Sequence, residues 1–264
     1  MKSVLKYPGA KNRLANWICS FIPDHEVYCE PFFGSGAVFF NKPKAKIETV
    51  NDLDGNVINY FRVIREHPAE LARLLSLTPF SRDEYEQAFL DNPNDSDIER
   101  ARKFAVRCWM GFSCGNRYKN GFRSSQQKNS PRTTKIWRDL PEIIQLAADR
   151  LLDAQIENLP AMELIQRYNT PDVLLYVDPP YLGSTRKKYL YPNEMMEEKE
   201  HRALLELLVK HPGKIIISGY DCPLYNEILK GWHKEFHNNQ VEQGITRMET
   251  LWTNYEYGQL QLEL

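Results

Sequence analysis

The sequence predicts an α/β fold, a sheet of mostly parallel strands flanked by helices and interrupted by a mostly helical insertion. Three observations lead there. Residues 27–66 read as strand, glycine turn, helix, strand, helix, the opening of a parallel α/β unit. Residues 68–150 then offer helical segments and no good candidate for a parallel strand. From residue 155 onward, short apolar runs again alternate with helical stretches. With 264 residues, 42% of them hydrophobic, the chain can bury a real core.

The elements follow in order. Ala10 to Phe21 reads as a short amphipathic helix with Leu14, Trp17 and Ile18 inward. Val27-Tyr28-Cys29-Glu30 is a short apolar strand that runs into the turn Pro31 to Gly36, and Ala37-Val38-Phe39-Phe40 reads as the start of a helix. Lys46 to Asn51 is a second strand. Asp54 to Glu66 has Val57, Ile58, Phe61 and Ile64 at helical spacing, with Asp54 suited to cap it. Helices are predicted over 68–76, 82–91, 97–112 and 140–152, and residues 111–134 read as a loop or short hairpin. A strand at 155–158, a helix at 162–168 and the buried strand Val173 to Val177 come next. Helices at 195–210 and 223–229 and strands at 214–218, 249–253 and 259–262 complete the pattern. The implied division is 1–66 with 150–264 as one domain and 67–149 inserted.

Composition excludes several classes. The formal net charge is −1, so a uniformly basic nucleic-acid coat protein is ruled out. No run of about 18 apolar residues suggests a membrane span, and the N-terminus has no apolar stretch of signal-peptide length. The five cysteines form no Cys-x-x-Cys and lack histidines at zinc-ligand spacing. They fit free thiols in a reducing cytoplasm, and no metal site is expected.

The charge is unevenly placed. Residues 100–138 contain 11 basic residues and no Asp or Glu. The other 225 residues carry 23 of the 34 basic residues and all 35 acidic ones, a net −12. The basic segment also carries Trp109, Phe112, Tyr118, Phe122 and Trp137 with several Asn and Gln. Neutralising phosphates takes Lys and Arg, reading base edges takes Arg, Asn and Gln, and wedging or stacking takes aromatics. Nucleic-acid contact is therefore the favoured reading of this segment over a plain solvated surface.

Three motifs carry chemistry. In Glu30-Pro31-Phe32-Phe33-Gly34-Ser35-Gly36, glycines after the first strand let a ligand approach the backbone. The third glycine of a dinucleotide fingerprint is replaced by Phe39, and no Gly-Lys-Ser/Thr follows, which argues against NAD and against an ATP loop. Asp52, 18 residues after Gly34, is placed to meet ribose hydroxyls. Asp178-Pro179-Pro180-Tyr181 ends a buried strand, at the sheet edge where ligands bind. The prolines fix the backbone there, so the Asp178 carboxylate and the Pro179 carbonyl can point at one amino group while Tyr181 lies over a flat ring.

On these residues the chain resembles the amino-group DNA methyltransferases of the DNA adenine methylase, or D12, class. Four blocks match in the family's order: Lys6-Tyr7-Pro8-Gly9-Ala10-Lys11, Glu30 to Gly36, Asn51-Asp52, and Asp178 to Tyr181. The resemblance covers 1–66 and 150–264, and the insertion occupies the place of the family's target-recognition domain. It implies a Rossmann-like methyltransferase sheet and S-adenosylmethionine as cofactor. Cofactor contacts would fall to Tyr7, Lys11, Glu30, Phe32, Gly34, Gly36, Asp52, Asn158, Leu159 and Asp178. Asp178, Pro179, Pro180 and Tyr181 would carry catalysis on an adenine flipped out of the duplex. The family often has Trp where this chain has Tyr7, and Asn158 stands where many members have Asp.

Double-stranded DNA is the implied partner, with Arg107, Arg117, Lys119, Arg123, Lys128, Arg132, Lys135 and Lys187 as candidate contacts. A cognate restriction endonuclease is a further partner the resemblance allows, and the expected state is a monomer or weak dimer. The expected setting is the cytoplasm of a bacterium, or of one carrying a phage gene. The alternatives are methylation of cytosine N4 or RNA adenine, or an inactive DNA-binding relative. No Pro precedes any cysteine, which disfavours C5-cytosine chemistry. Asp rather than Asn before Pro-Pro-Tyr disfavours a protein-glutamine methylase.

Overall fold

The computed structural model describes residues 1–90, 92–112, 118–124, 133–183, 195–240 and 246–257. Seven strands form one mixed sheet: β1 (Val27–Glu30), β2 (Ile47–Asn51), β3 (Ala154–Glu157), β4 (Val173–Val177), β5 (Lys214–Gly219), β6 (His233–Gln240) and β7 (Thr246–Thr253). Their order is β3-β2-β1-β4-β5-β7-β6. The first five are parallel, and β7 runs antiparallel to both β5 and β6.

This order positions the site. The chain winds outward from β1 through β2 to β3, then returns to β4 on the other side of β1 and continues to β5. The switch lies between β1 and β4, which pair with Val27 opposite Val173 and Cys29 opposite Leu175. Connections leaving neighbouring strands in opposite directions open a crevice at their carboxyl ends. Glu30 and Asp178 stand at that crevice.

Strand β4 is buried along its whole length, and its side chains alternate between the two faces of the sheet. Leu174 and Tyr176 join one core with α2 (Gly55–Glu66), α3 (Pro68–Leu77), α4 (Arg82–Gln87), α5 (Asp97–Met110) and α6 (Thr133–Leu151). Val173, Leu175 and Val177 join a second core with α7 (Ala161–Arg167), α8 (Glu198–Val209) and α9 (Pro223–Ile228). The first core runs without a break from the sheet through α2 into α3, α5 and α6. Asp54 caps α2, accepting from the Asn56 backbone at 3.0 Å.

Several predicted elements differ. Residues 37–40 form turns rather than a helix, because Gly36 takes a left-handed conformation and Phe33, Phe39 and Phe40 pack as a ring cluster with Phe61. The N-terminal helix shortens to α1 (Ala15–Cys19). Helix α6 begins seven residues before the predicted start and accommodates Pro141 in its interior. Strand β6 was not predicted, and the predicted strand at 259–262 lies outside the described residues. The hairpin expected within 111–134 is represented by a bridge between Gly111 and Phe122. Among the described residues no helix is long and apolar enough to cross a membrane.

Candidate active site at the sheet switch point

A cleft of about 270 Å³ opens where β1 and β4 end. Its described lining includes Tyr7, Phe32, Gly34, Asp52, Met162 and Asp178. The turn after β1 is shaped by two left-handed glycines, Gly34 at φ 50° and Gly36 at φ 67°. A Cβ on Gly34 would sit 3.3 Å from the Tyr7 ring, and one on Gly36 would fall 2.6 Å from the Phe33 ring. Only glycine gives this loop its path so close to the cleft.

The two acids after β2 divide their work. The Asp52 carboxylate accepts from the Gly34 backbone at 2.8 Å and the Asp54 backbone at 2.9 Å, tying the glycine turn to the start of α2. Burial pushes Asp52 up to about 6, against the pull of those backbone donors. Asp54 serves as cap and accepts from the Tyr7 hydroxyl at 3.0 Å. Asn51 fastens the neighbouring loop, donating to the Pro31 carbonyl at 2.9 Å and the Leu159 carbonyl at 3.0 Å.

Asp178 is the centre of a second constellation. The Lys11 ammonium donates to both of its oxygens at 2.7 Å. The Ser218 hydroxyl at the end of β5 donates to Oδ1 at 3.0 Å and is itself 3.0 Å from the Tyr176 hydroxyl. Oδ1 therefore meets two donors and Oδ2 one among the described residues, which leaves a lone pair on Oδ2 open. Beside it, Glu30 is buried and accepts from the Tyr28 hydroxyl at 2.7 Å. Burial, with a smaller push from the Asp178 charge, raises Glu30 to about 8.

Not every predicted site residue faces the cleft. Tyr7, Lys11, Glu30, Phe32, Gly34, Asp52, Asp178 and Pro180 do. Asn158 is exposed and donates to the Asp52 carbonyl at 2.6 Å, and the Leu159 backbone N–H donates to Asn51 Oδ1 at 2.8 Å; Pro160, Ala161 and Met162 line the wall there instead. Gly36 lies outside the lining and shapes the turn, and Pro179 is buried and also outside the lining, which Pro180 joins instead. Tyr181 faces a small hollow shared with Gly219, Tyr220 and Cys222.

The sequence reading missed Glu249 altogether. It sits 3% exposed on β7 and accepts a hydrogen bond from the Tyr181 hydroxyl. A signal existed: an acid followed by Thr250-Leu251-Trp252-Thr253, a run whose burial leaves a charged neighbour in need of partners.

The basic segment is partly spent on structure. Arg100 pairs with Asp97, Arg102 with Glu84 and Glu99, and Lys103 with Asp95. Arg107 is half-buried, its guanidinium 5.8 Å from the Phe89 ring centre and 5.7 Å from that of Phe104. Arg123 donates to the Phe112 carbonyl at 2.9 Å. Lys119 is exposed, with Glu86 at 3.7 Å, and Lys135 is exposed on the first turn of α6. Exposed Phe112 and Tyr118 flank this ground. Arg117, Lys128, Arg132 and Lys187 lie outside the described residues.

Comparison with known proteins gives this geometry a context. The family described as D12 class N6 adenine-specific DNA methyltransferase matches residues 7–245. The chain is 24% identical to the type II methyltransferase M1.LlaDCHI of Lactococcus lactis subsp. cremoris, covering 92% of this chain and 88% of the relative. It is 22% identical to the DNA adenine methylase of Vibrio cholerae, over 87% of this chain and 85% of that one. Likeness to the type II methyltransferase M.MjaIII of Methanocaldococcus jannaschii is also 22%, over 88% and 89%.

Proposed function

The chain belongs to the D12 class of N6 adenine-specific DNA methyltransferases, and from that membership we propose how its own residues carry the reaction. The activity is transfer of a methyl group from S-adenosylmethionine to the N6 amino group of adenine in DNA. The observation that carries the residue-level reading is Asp178, fixed at the switch point by Lys11 and Ser218 and lining the cleft.

The donor set suits a cationic nucleoside cofactor. Glu30, Asp52 and Asp178 place three carboxyl groups around one apolar-walled cleft. Asp52 takes the ribose hydroxyls, Phe32 and the Gly34 backbone take the methionine end, and Met162 with Pro160 walls the adenine. Bound there, S-adenosylmethionine supplies an electrophilic methyl on a sulfonium.

An adenine amino group is a weak nucleophile because its lone pair is shared with the ring. Asp178 Oδ2 accepts one N6 hydrogen and the Pro179 carbonyl accepts the other, which favours a more tetrahedral nitrogen. Lys11 holds the Asp178 carboxylate in place from the opposite side, so its reorganisation during the reaction is small. N6 exchanges one hydrogen for the methyl as the sulfur–methyl bond breaks and a thioether is left, and the released proton passes to Asp178 Oδ2 and then to water. Tyr181 stacks on the target base, which must leave the duplex to reach the site. Orientation and preformed electrostatics supply the rate enhancement.

Residues 67–149 act as the target-recognition region. Exposed Lys119 and Lys135, with Arg123, Phe112 and Tyr118, form the described part of the face that meets DNA. The type II methyltransferase names of two relatives support a restriction–modification setting with a cognate endonuclease. The test is transfer of labelled methyl from S-adenosylmethionine to unmethylated duplex DNA, followed by mass spectrometry of the nucleosides. N6-methyldeoxyadenosine is expected from the wild type, and none from Asp178→Ala, which should still bind DNA. Full activity in Asp178→Ala would overturn the residue assignment.

A further inference from the structure

A buried carboxylate beside the reacting groups has no role in the scheme above. Glu249 lies on β7, which runs antiparallel to β5 with Gly219 opposite Thr250. That reversal brings the first half of β7 to the edge where the parallel strands end. There the Tyr181 hydroxyl donates to Glu249 Oε1, and the Lys11 ammonium lies 3.6 Å from the same oxygen while bonded to Asp178. The ammonium is also 4.8 Å from the Tyr181 ring centre, and the Tyr220 ring packs on Tyr181 at 4.5 Å and 69°.

We propose that Glu249 is a positioning residue for methyl transfer, anchoring the Tyr181 ring through its hydroxyl so that the ring is preset to receive the target base. The inference rests on the reading that Asp178 to Tyr181 carry the transfer. A tyrosine free to turn about Cα–Cβ would have to be ordered in each turnover. Tied at its far end to a buried carboxylate on β7, a strand paired on both sides, it is ordered beforehand. Burial raises Glu249 above the usual carboxylate range while Lys11 and the Tyr181 hydroxyl oppose that, as expected of an acid kept for its partners. Lys11 gives the anchor a second link, since one ammonium spans Asp178 and Glu249 and fixes the acceptor and the stacking ring relative to each other.

The test is a double-mutant cycle in the full-length enzyme with saturating cofactor and duplex DNA. Glu249→Ala and Tyr181→Phe should each lower kcat by roughly 10- to 100-fold, the scale of a small misplacement at a reacting centre, with cofactor binding by calorimetry unchanged. The double variant should be no slower than the worse single one, because both remove the same bond. Glu249→Gln keeps an acceptor for the hydroxyl and should recover most of the lost kcat. If Glu249→Ala does not fold, Glu249→Asp, one methylene short of the hydroxyl, goes through the same cycle. Wild-type kcat in the Ala or Asp variant, fully additive losses, or a folded Gln variant as slow as the Ala or Asp variant would each overturn the proposal. Asp178→Ala separates the two levels. If that variant is inactive while Glu249 variants are unimpaired, only this inference fails; if it is active, the reading beneath it fails.

Discussion

Gly36 offers a sharp test of how the turn after β1 is built. Its φ of 67° is left-handed, and an added Cβ would fall 2.6 Å from Phe33 Cζ, 2.7 Å from Phe40 Cε2 and 2.9 Å from Phe33 Cε2. These rings cannot easily yield. Phe33 packs on Phe61 at 4.7 Å and Phe39 on Phe40 at 5.1 Å, all buried. Gly36→Ala therefore carries a left-handed penalty of roughly 1–2 kcal/mol and an overpacking cost of about 1–3 kcal/mol. Together that is about 2–5 kcal/mol, a large part of the ~5–15 kcal/mol stability of a typical domain. Gly34→Ala is the internal control. Its φ of 50° brings the same backbone penalty, but its Cβ would meet only the Tyr7 ring at 3.3 Å. The assay is urea unfolding followed by tryptophan fluorescence, reading the midpoint at unchanged slope. Gly36→Ala should lose clearly more stability than Gly34→Ala. A loss below about 1 kcal/mol for Gly36→Ala, less than the backbone penalty alone, would refute the reasoning.

Two further outcomes are expected. Glu30 titrates near 8 in the folded chain against an ordinary value of 4.5. The folded state then holds a proton that the unfolded chain has released between those values. Stability falls as pH rises through that window, by roughly a few kcal/mol, and levels off above it. Glu30→Gln should flatten the fall in urea midpoint between pH 5 and 9, and an unchanged pH dependence would place the titration elsewhere. Lys135→Ala should weaken duplex binding and reduce the slope of log affinity against log salt by about 1. An unchanged slope would take Lys135 off the phosphate path.

How much of this was legible in the sequence depended on whether the signal was local. Val173 to Val177 followed by Asp178-Pro179-Pro180-Tyr181 states both a buried strand and the edge at which it ends, and the structure has that strand with those bounds. Asp54 could be assigned as cap from its place before Val57 and Ile58, and it caps. Strand β6 reads His-Lys-Glu-Phe-His-Asn-Asn-Gln, with one large apolar residue, so nothing alternates; it exists because β7 pairs with it along its length. Helix α6 was cut short by giving Pro141 the weight of a boundary, whereas the apolar face from Trp137 through Leu140 and Ile144 carries the helix across it. The basic count over 100–138 overstated the free charge, because the partners of Arg100, Arg102 and Lys103 lie upstream at residues 84–99, outside the window counted.

The site itself shows why its electrostatics could not be read in advance. Lys11 was assigned by motif to the cofactor, and it does line the cleft. Its bond to Asp178 spans 167 positions of sequence, and its approach to Glu249 depends on the reversed direction of β7. Neither follows from spacing. Together they place one ammonium between Asp178 and Glu249, while burial raises Glu30, Asp52 and Glu249. An excess of buried carboxyl groups over cations is costly while the acids are ionised. A positively charged ligand in the cleft eases that cost for the three acids that line it, Glu30, Asp52 and Asp178. The same arrangement that makes the site costly to fold thus favours a cationic ligand over a neutral one of the same shape.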